Sequence, residues 1–165
     1  MGIKRIVRHL LLTRWNVKVA FPPRTLRAIE KAVQASHQAH IGQVRFVVEG
    51  ALPIEALLTS MSARERAIDV FSQLRVWDTE HNNGVLIYLL LADRDVEIVA
   101  DRGVHAHVLT AEWESICQSM EANFRRGKYE AGVLLGVEQV SELLERHFPA
   151  RQDRRSELPS KPAVL

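Results

Sequence analysis

Residues 76–103, VWDTEHNNGVLIYLLLADRDVEIVADRG, hold the most apolar run of the chain, residues 85–92, between clusters of acidic and amide side chains. A second run, residues 96–100, follows after only Asp93, Arg94 and Asp95. Apolar runs of this length bounded by turn residues read as strands, and the short polar gap reads as a hairpin. The first run shows no polar alternation, so both of its faces should be covered by helices. The second places Glu97 and Asp101 on one face and Val96, Ile98 and Ala100 on the other. A two-residue loop at Arg94 and Asp95 would set Asp101 opposite Tyr88 and Val104 opposite Val85.

Outward from the hairpin, residues 43–49, QVRFVVE, alternate as a strand does. Before them Leu26, Ile29, Ala32 and Val33 repeat at helical spacing, from Thr25 to about His40, with Phe21-Pro22-Pro23 as the break and Gly42 as the stop. After them Ser62-Ala63-Arg64-Glu65 matches a capping box. It opens a helix to about Val76, with Leu57 and Leu58 in a short helical lead-in. Thr110 caps the next helix, whose buried stripe is Trp113, Ile116, Cys117, Met120 and Phe124. A last helix spans about Tyr129 to His147, where Gly132 and Gly136 leave a smooth face for a close neighbour. These glycines lie in an apolar helical stretch with no lysine-serine pair after them, which excludes a phosphate loop. Helices between strands imply crossovers, so the strand after Gly84 should run parallel to that at Gln43. The expected architecture is an α/β/α sandwich around a small mixed sheet containing one antiparallel hairpin.

The 165 residues suit one domain, and 47% apolar with 25% charged is ordinary globular composition. The longest apolar run is too short to span a bilayer, and Leu10-Leu11-Leu12 is too short for a signal-peptide core; a cytoplasmic chain, at most at the inner face of the membrane, is expected. The single cysteine, Cys117, excludes an internal disulfide and a cysteine zinc site, and reads as a buried, inert thiol. The net charge of +2 hides segregation: residues 1–27 hold seven cations and no acid, while residues 28–150 hold eleven cations and eighteen acids. An acidic body suits cations and argues against nucleic acid as a partner. Residues 1–20 form a basic amphipathic segment, with Ile3, Ile6, Val7, Leu10 and Leu11 on one face and Lys4, Arg5, Arg8 and His9 on the other. It suits a helix docked on the domain, or one lying peripherally on an anionic membrane through residues 1–15. Residues 21–150 make the domain, and residues 151–165, with Pro159 and Pro162, should be a disordered tail.

Two acidic clusters flank the central strand. The chosen one joins Asp78, Thr79, Asn82 and Asn83 to Asp101, all within roughly 10 Å if the hairpin forms. Carboxylates and amide carbonyls are hard oxygen ligands of the kind that hold Ca2+ or Mg2+. A cation there could polarise a phosphoryl oxygen of a phosphate-containing small molecule while Arg102 steadies the charge, with Asp101 the best nucleophile. The competing structural role is turn chemistry for Asp78, Asn82 and Asn83, and a strand cap for Asp101. His37 with His40, and His105 with His107 in an extended stretch, are weaker ligand pairs.

The residues WDTEHNNGVLIYLLLADRDVEIVADRG, with WESICQSMEANFRRGKYEAG after them, closely resemble the TPM domain family, and most of all its short bacterial branch without signal peptide or transmembrane tail. The resemblance covers about residues 27–149 and includes ARERAIDVFSQLRVWDTE. It implies a three-layer α/β/α domain, calcium binding through acidic loops at one sheet end in some members, and acid phosphatase activity in some. By matching motif it points to Asp101 and to the WDT and NNG residues. Acidic residues usual in the branch near His37 and Gln43 are missing here. A non-catalytic adaptor beside LemA-type membrane proteins is the alternative that the resemblance implies.

Overall fold

The computed structural model describes residues 3–150 and 156–165. Four strands, β1 (Gln43–Glu49), β2 (Gly84–Leu90), β3 (Asp95–Ala100) and β4 (Ala163–Val164), form one sheet in the order β3-β2-β1-β4. β1 and β2 are parallel and β2 and β3 antiparallel, so the sheet is mixed, as the hairpin and crossover required.

All seven residues of β2 are buried, because helices cover both sheet faces. On one face Val44, Phe46, Val48, Val85, Ile87 and Leu89 meet α3 (Pro23–Ser36), α7 (Thr110–Arg125) and α8 (Tyr129–His147). On the other, Val47, Leu86, Tyr88 and Leu90 meet α4 (Ile54–Leu58) and α5 (Ala63–Gln73). The α/β/α sandwich is therefore present, and the alternation of β1 sets which side chains enter which core. The capping box forms: Ser62 N–H donates to Glu65 Oε2 at 2.7 Å, and Glu65 N–H to Ser62 Oγ at 3.1 Å. The smooth face of α8 takes α7, since a Cβ at Gly136 or Gly132 would strike Met120 or Phe124. The second core holds one buried polar knot. Glu49 accepts from Arg66 Nε at 2.8 Å, Arg66 NH2 at 3.0 Å and Tyr88 Oη at 2.7 Å.

Four expectations change. The hairpin pairs Val85 with Ala100 and Leu90 with Asp95, so its connection is residues 91–94 rather than two residues. Arg94 takes a left-handed φ of 55°, and the N–H groups of Asp93 and Arg94 bond to Leu90 and Leu91 carbonyls. Glu97, not Asp101, lies opposite Tyr88. Second, residues 102–105 are helical (α6, Arg102–His105), not extended, so His105 and His107 do not project side by side as a ligand pair. Third, the amino-terminal segment is two helices, α1 (Ile3–Leu11) and α2 (Arg14–Ala20), broken where Thr13 N–H and Oγ1 both bond to Asn16 Oδ1; residues 1 and 2 lie outside the described residues. Fourth, the tail expected to be disordered is folded over residues 156–165: Leu158 enters the second core and β4 pairs with β1. Residues 151–155 of that tail lie outside the described residues.

Candidate functional site

The end of the sheet where β2 begins is drawn tight by two glycines. A Cβ on Gly84 would lie 1.9 Å from the carbonyl oxygen of Val76, and one on Gly103 would lie 2.5 Å from that of Asn82. Only hydrogen fits at either place, so NNG and DRG are where two chain segments pass at backbone distance. Asp101 N–H then donates to Gly84 O at 2.8 Å and Gly103 N–H to Asn82 O at 3.0 Å. The register correction brings Asp101 nearer to the NNG turn than the sequence reading had it.

Within this junction Asp101 caps α6, its Oδ1 accepting from Arg102 N–H at 2.7 Å. Asn83 is fully buried; its Nδ2 donates to Ile41 O at 2.9 Å, and its own carbonyl accepts from Gln43 N–H. Thr79 Oγ1 accepts from Asn83 N–H at 3.1 Å. Asn82, at a left-handed φ of 51°, offers Oδ1 to Arg102 Nε at 3.1 Å and NH2 at 3.0 Å. Asp78 stands exposed on the rim, its N–H closing a turn on Arg75 O. Thr79, Asn82, Asn83, Asp101 and Arg102 are thus brought together, and three of them make the turn and cap bonds of their structural role.

Two acceptors remain over. Asn83 Oδ1 and Asp101 Oδ2 are buried, and neither accepts a hydrogen bond from any described residue. A buried acceptor left without a donor costs about 1–3 kcal/mol, more for a carboxylate. Oxygen atoms in that condition favour a donor or a cation, and a carboxylate with an amide carbonyl is hard-ligand chemistry. The described residues hold no group of three or more His, Cys, Asp or Glu set to bind a metal, so a cation here would lean on neutral oxygens and solvent.

The sequence reading missed Gln43 and Glu157. Gln43 Oε1 accepts from the N–H groups of Glu157 and Leu158 at 2.8 and 3.3 Å. The Glu157 carboxylate in turn accepts from Glu80 N–H at 2.9 Å, on the loop of the candidate site. The Gln43 amide thus holds the carboxy-terminal segment on the rim. The apolar residues Leu158 and Ala163-Val164-Leu165 at the end of a polar tail were the available signal.

Other titratable groups fall outside this junction. His37 and His40 rings meet edge to face at 6.0 Å. Burial, then the neighbouring His37, pushes the His40 imidazole down to about 4, against its bond from Nδ1 to Gly42 O. Cys117 is pushed up to about 12 by burial and then by Glu97 and Glu121, so it stays a thiol. A cleft of about 1170 Å3 lies at the opposite end of the strands, over Asp93, Asp95 and Glu121. Two of its acids are paired, Asp93 by Arg5 at 2.8 Å and Arg8 at 3.3 Å and Glu121 by Arg125 at 3.0 Å, while burial and then Glu97, Glu121 and Asp93 push the Asp95 carboxyl up to about 6. Buried oxygens without a donor, Asn83 Oδ1 and Asp101 Oδ2, distinguish the Asp101 end.

The model of the TPM domain matches residues 19–143. The chain belongs to the TPM domain family. Among solved structures it is similar to the NMR structure of BA42 protein from the psychrophilic bacteria Bizionia argentinensis sp. nov., at 26% identity and a TM-score of 0.76, covering 86% of this chain and 93% of that one. It is also similar in fold to the N-terminal domain of a protein from P. gingivalis, at 19% identity and a TM-score of 0.62, covering 79% and 82% of the two chains. No curated protein matches it. No described helix is long and apolar enough to cross a membrane.

Proposed function

We propose that this TPM domain binds a divalent cation, Ca2+ or Mg2+, where β2 begins, with Asp101 as carboxylate ligand and Asn83 as neutral oxygen ligand. The observation that carries the reading is the pair of buried oxygens, Asp101 Oδ2 and Asn83 Oδ1, without a donor on two segments locked together by the Asp101–Gly84 bond. The net acid excess of residues 28–150 favours the same sign of ligand. Asp78 and the Thr79 hydroxyl stand next in line as ligands, while Asn82 is engaged by Arg102. A divalent cation bound there would supply Lewis-acid polarisation of a phosphoryl oxygen. Phosphomonoester hydrolysis is therefore the activity this reading would support, with Arg102 holding the anion and Asp101 the cation.

Thermal unfolding with and without each ion tests the proposal. At a free ion concentration about a hundredfold above Kd, binding adds about 2.7 kcal/mol, which raises Tm by roughly 5–10 °C. Asp101→Asn keeps a competent helix cap and removes the charge, so it should keep the fold and lose most of that rise. Absence of a shift with either ion at millimolar levels would remove the cation from this account.

A further inference from the structure

The amino-terminal helices dock the wrong way round for an ordinary amphipathic segment. Arg5 and Arg8 point at the body and bind Asp93 in the β2–β3 connection. His9 is buried beside them, its Nδ1 accepting from Leu52 N–H at 3.0 Å, which leaves the ring proton on Nε2, 3.2 Å from Asp93 Oδ2. In α2 the inward residue is Val17, which packs with Leu12 against Gly50. Arg5, Arg8 and His9 of α1 are therefore turned to Asp93 and Leu52, while Lys4 and the apolar side are left outside. Ile3 is 79% exposed, Leu11 72% and Trp15 68%, and Val7, Leu10 and Val19 are also exposed.

We infer that this outward face of α1 and α2 is a docking surface for an anionic lipid bilayer, on which the helices lie in the plane of the interface. The occupant follows from charge. Lys4, Arg14 and Lys18 are exposed beside the apolar residues, and no acid occurs before Glu30. Anionic headgroups complement that rim while Ile3, Leu11 and their neighbours enter the acyl boundary. An exposed tryptophan among them suits the interface, where an indole keeps an apolar body and a polar N–H. A second copy of the chain is a poorer occupant, because a two-fold interface would set these cation rims against each other. The acidic body would be repelled by the same headgroups, so contact is confined to this face. The buried bond from Leu52 N–H to His9 and the ion pairs of Arg5 and Arg8 with Asp93 hold α1 in this presentation before any membrane is met.

The test uses the full chain with vesicles of phosphatidylcholine, with or without added phosphatidylglycerol, by co-sedimentation and by quenching of Trp15 with brominated lipid. The chain should sediment with the anionic vesicles only, and less as salt rises. Lys18→Gln should weaken partitioning about fivefold and Leu11→Asp by more than about tenfold. Both positions are exposed, so melting temperatures should hold, and Trp15→Phe should abolish the depth-dependent part of the quenching. Equal recovery from both vesicle types, or anionic binding that Leu11→Asp leaves intact, would overturn the inference. So would dimerisation that Leu11→Asp abolishes in a chain that ignores vesicles, which would give the face to a second copy.

Discussion

Replacing Gly84 by alanine adds one methyl group at the place where β2 passes the end of α5. Its Cβ would sit 1.9 Å from the Val76 carbonyl oxygen, 3.0 Å from the carbonyl carbon and 3.1 Å from Val76 Cγ1. The closest ordinary carbon–oxygen approach is about 3.3 Å, so the segments must part by about 1.4 Å. Side chains that can yield keep overpacking to about 1–3 kcal/mol. Here the obstacle is main chain, pinned by the bond from Val76 N–H to Phe71 O, so about 3 kcal/mol is a floor. For a chain of this length that lowers Tm by roughly 6–12 °C. Because Asp101 N–H bonds to Gly84 O, the same separation should also weaken any cation bound at Asp101. Gly127 is the control: it has φ +72° and open space around it, so alanine there pays only left-handed strain of about 1 kcal/mol. Thermal unfolding by circular dichroism reads both. A Gly84→Ala loss below about 2 °C, or one no larger than that of Gly127→Ala, would refute the packing of β2 on Val76.

The buried polar knot and the His40 imidazole give three further outcomes. Glu49→Ala leaves the Arg66 guanidinium and the Tyr88 hydroxyl without their buried acceptor and should cost about 3–5 kcal/mol, whereas Tyr88→Phe, which leaves both Arg66 bonds in place, should cost about 1–2 kcal/mol; urea unfolding of the two variants checks the order. His40 is depressed to about 4 in the folded chain against 6.5 unfolded, so its contribution is whole above pH 6.5 and fades as pH falls toward 4. The difference in stability between the native chain and His40→Gln should therefore change by a few kcal/mol across that window; taking the difference cancels Asp95, raised to about 6 by burial and then by Glu97, Glu121 and Asp93, which has the opposite slope. A flat difference would contradict a neutral, buried His40.

The parts of the fold legible in the sequence were those with a local or periodic cause. The capping box at Ser62 and Glu65 works through atoms three residues apart, and the α7–α8 contact is marked by Gly132 and Gly136. Hairpin register was not legible for a geometric reason. The observed pairs differ from the expected ones by four positions, and a slip by an even number keeps every side chain on its own face. With β2 buried throughout, the apolar pattern could not distinguish the two registers. The cluster of oxygen-rich residues at 78–83 and 101 was visible in the sequence, but the engagement of Asn82 by Arg102 was not, because it depends on α6, a four-residue helix. The carboxy-terminal segment was hidden by its composition: it gains order from Gln43 and from the free edge of β1, neither of which is near it in sequence. The inverted docking of α1 was hidden likewise, since only the fold places Asp93 under Arg5 and Arg8.

A calcium titration followed by amide NMR tests whether Asp101 and Asn83 hold a divalent cation. Saturable shifts should be confined to residues 78–83 and 101–107 and lost in Asp101→Asn. Shifts centred instead on residues 93–97 and 121, or none at saturating calcium, would contradict that assignment.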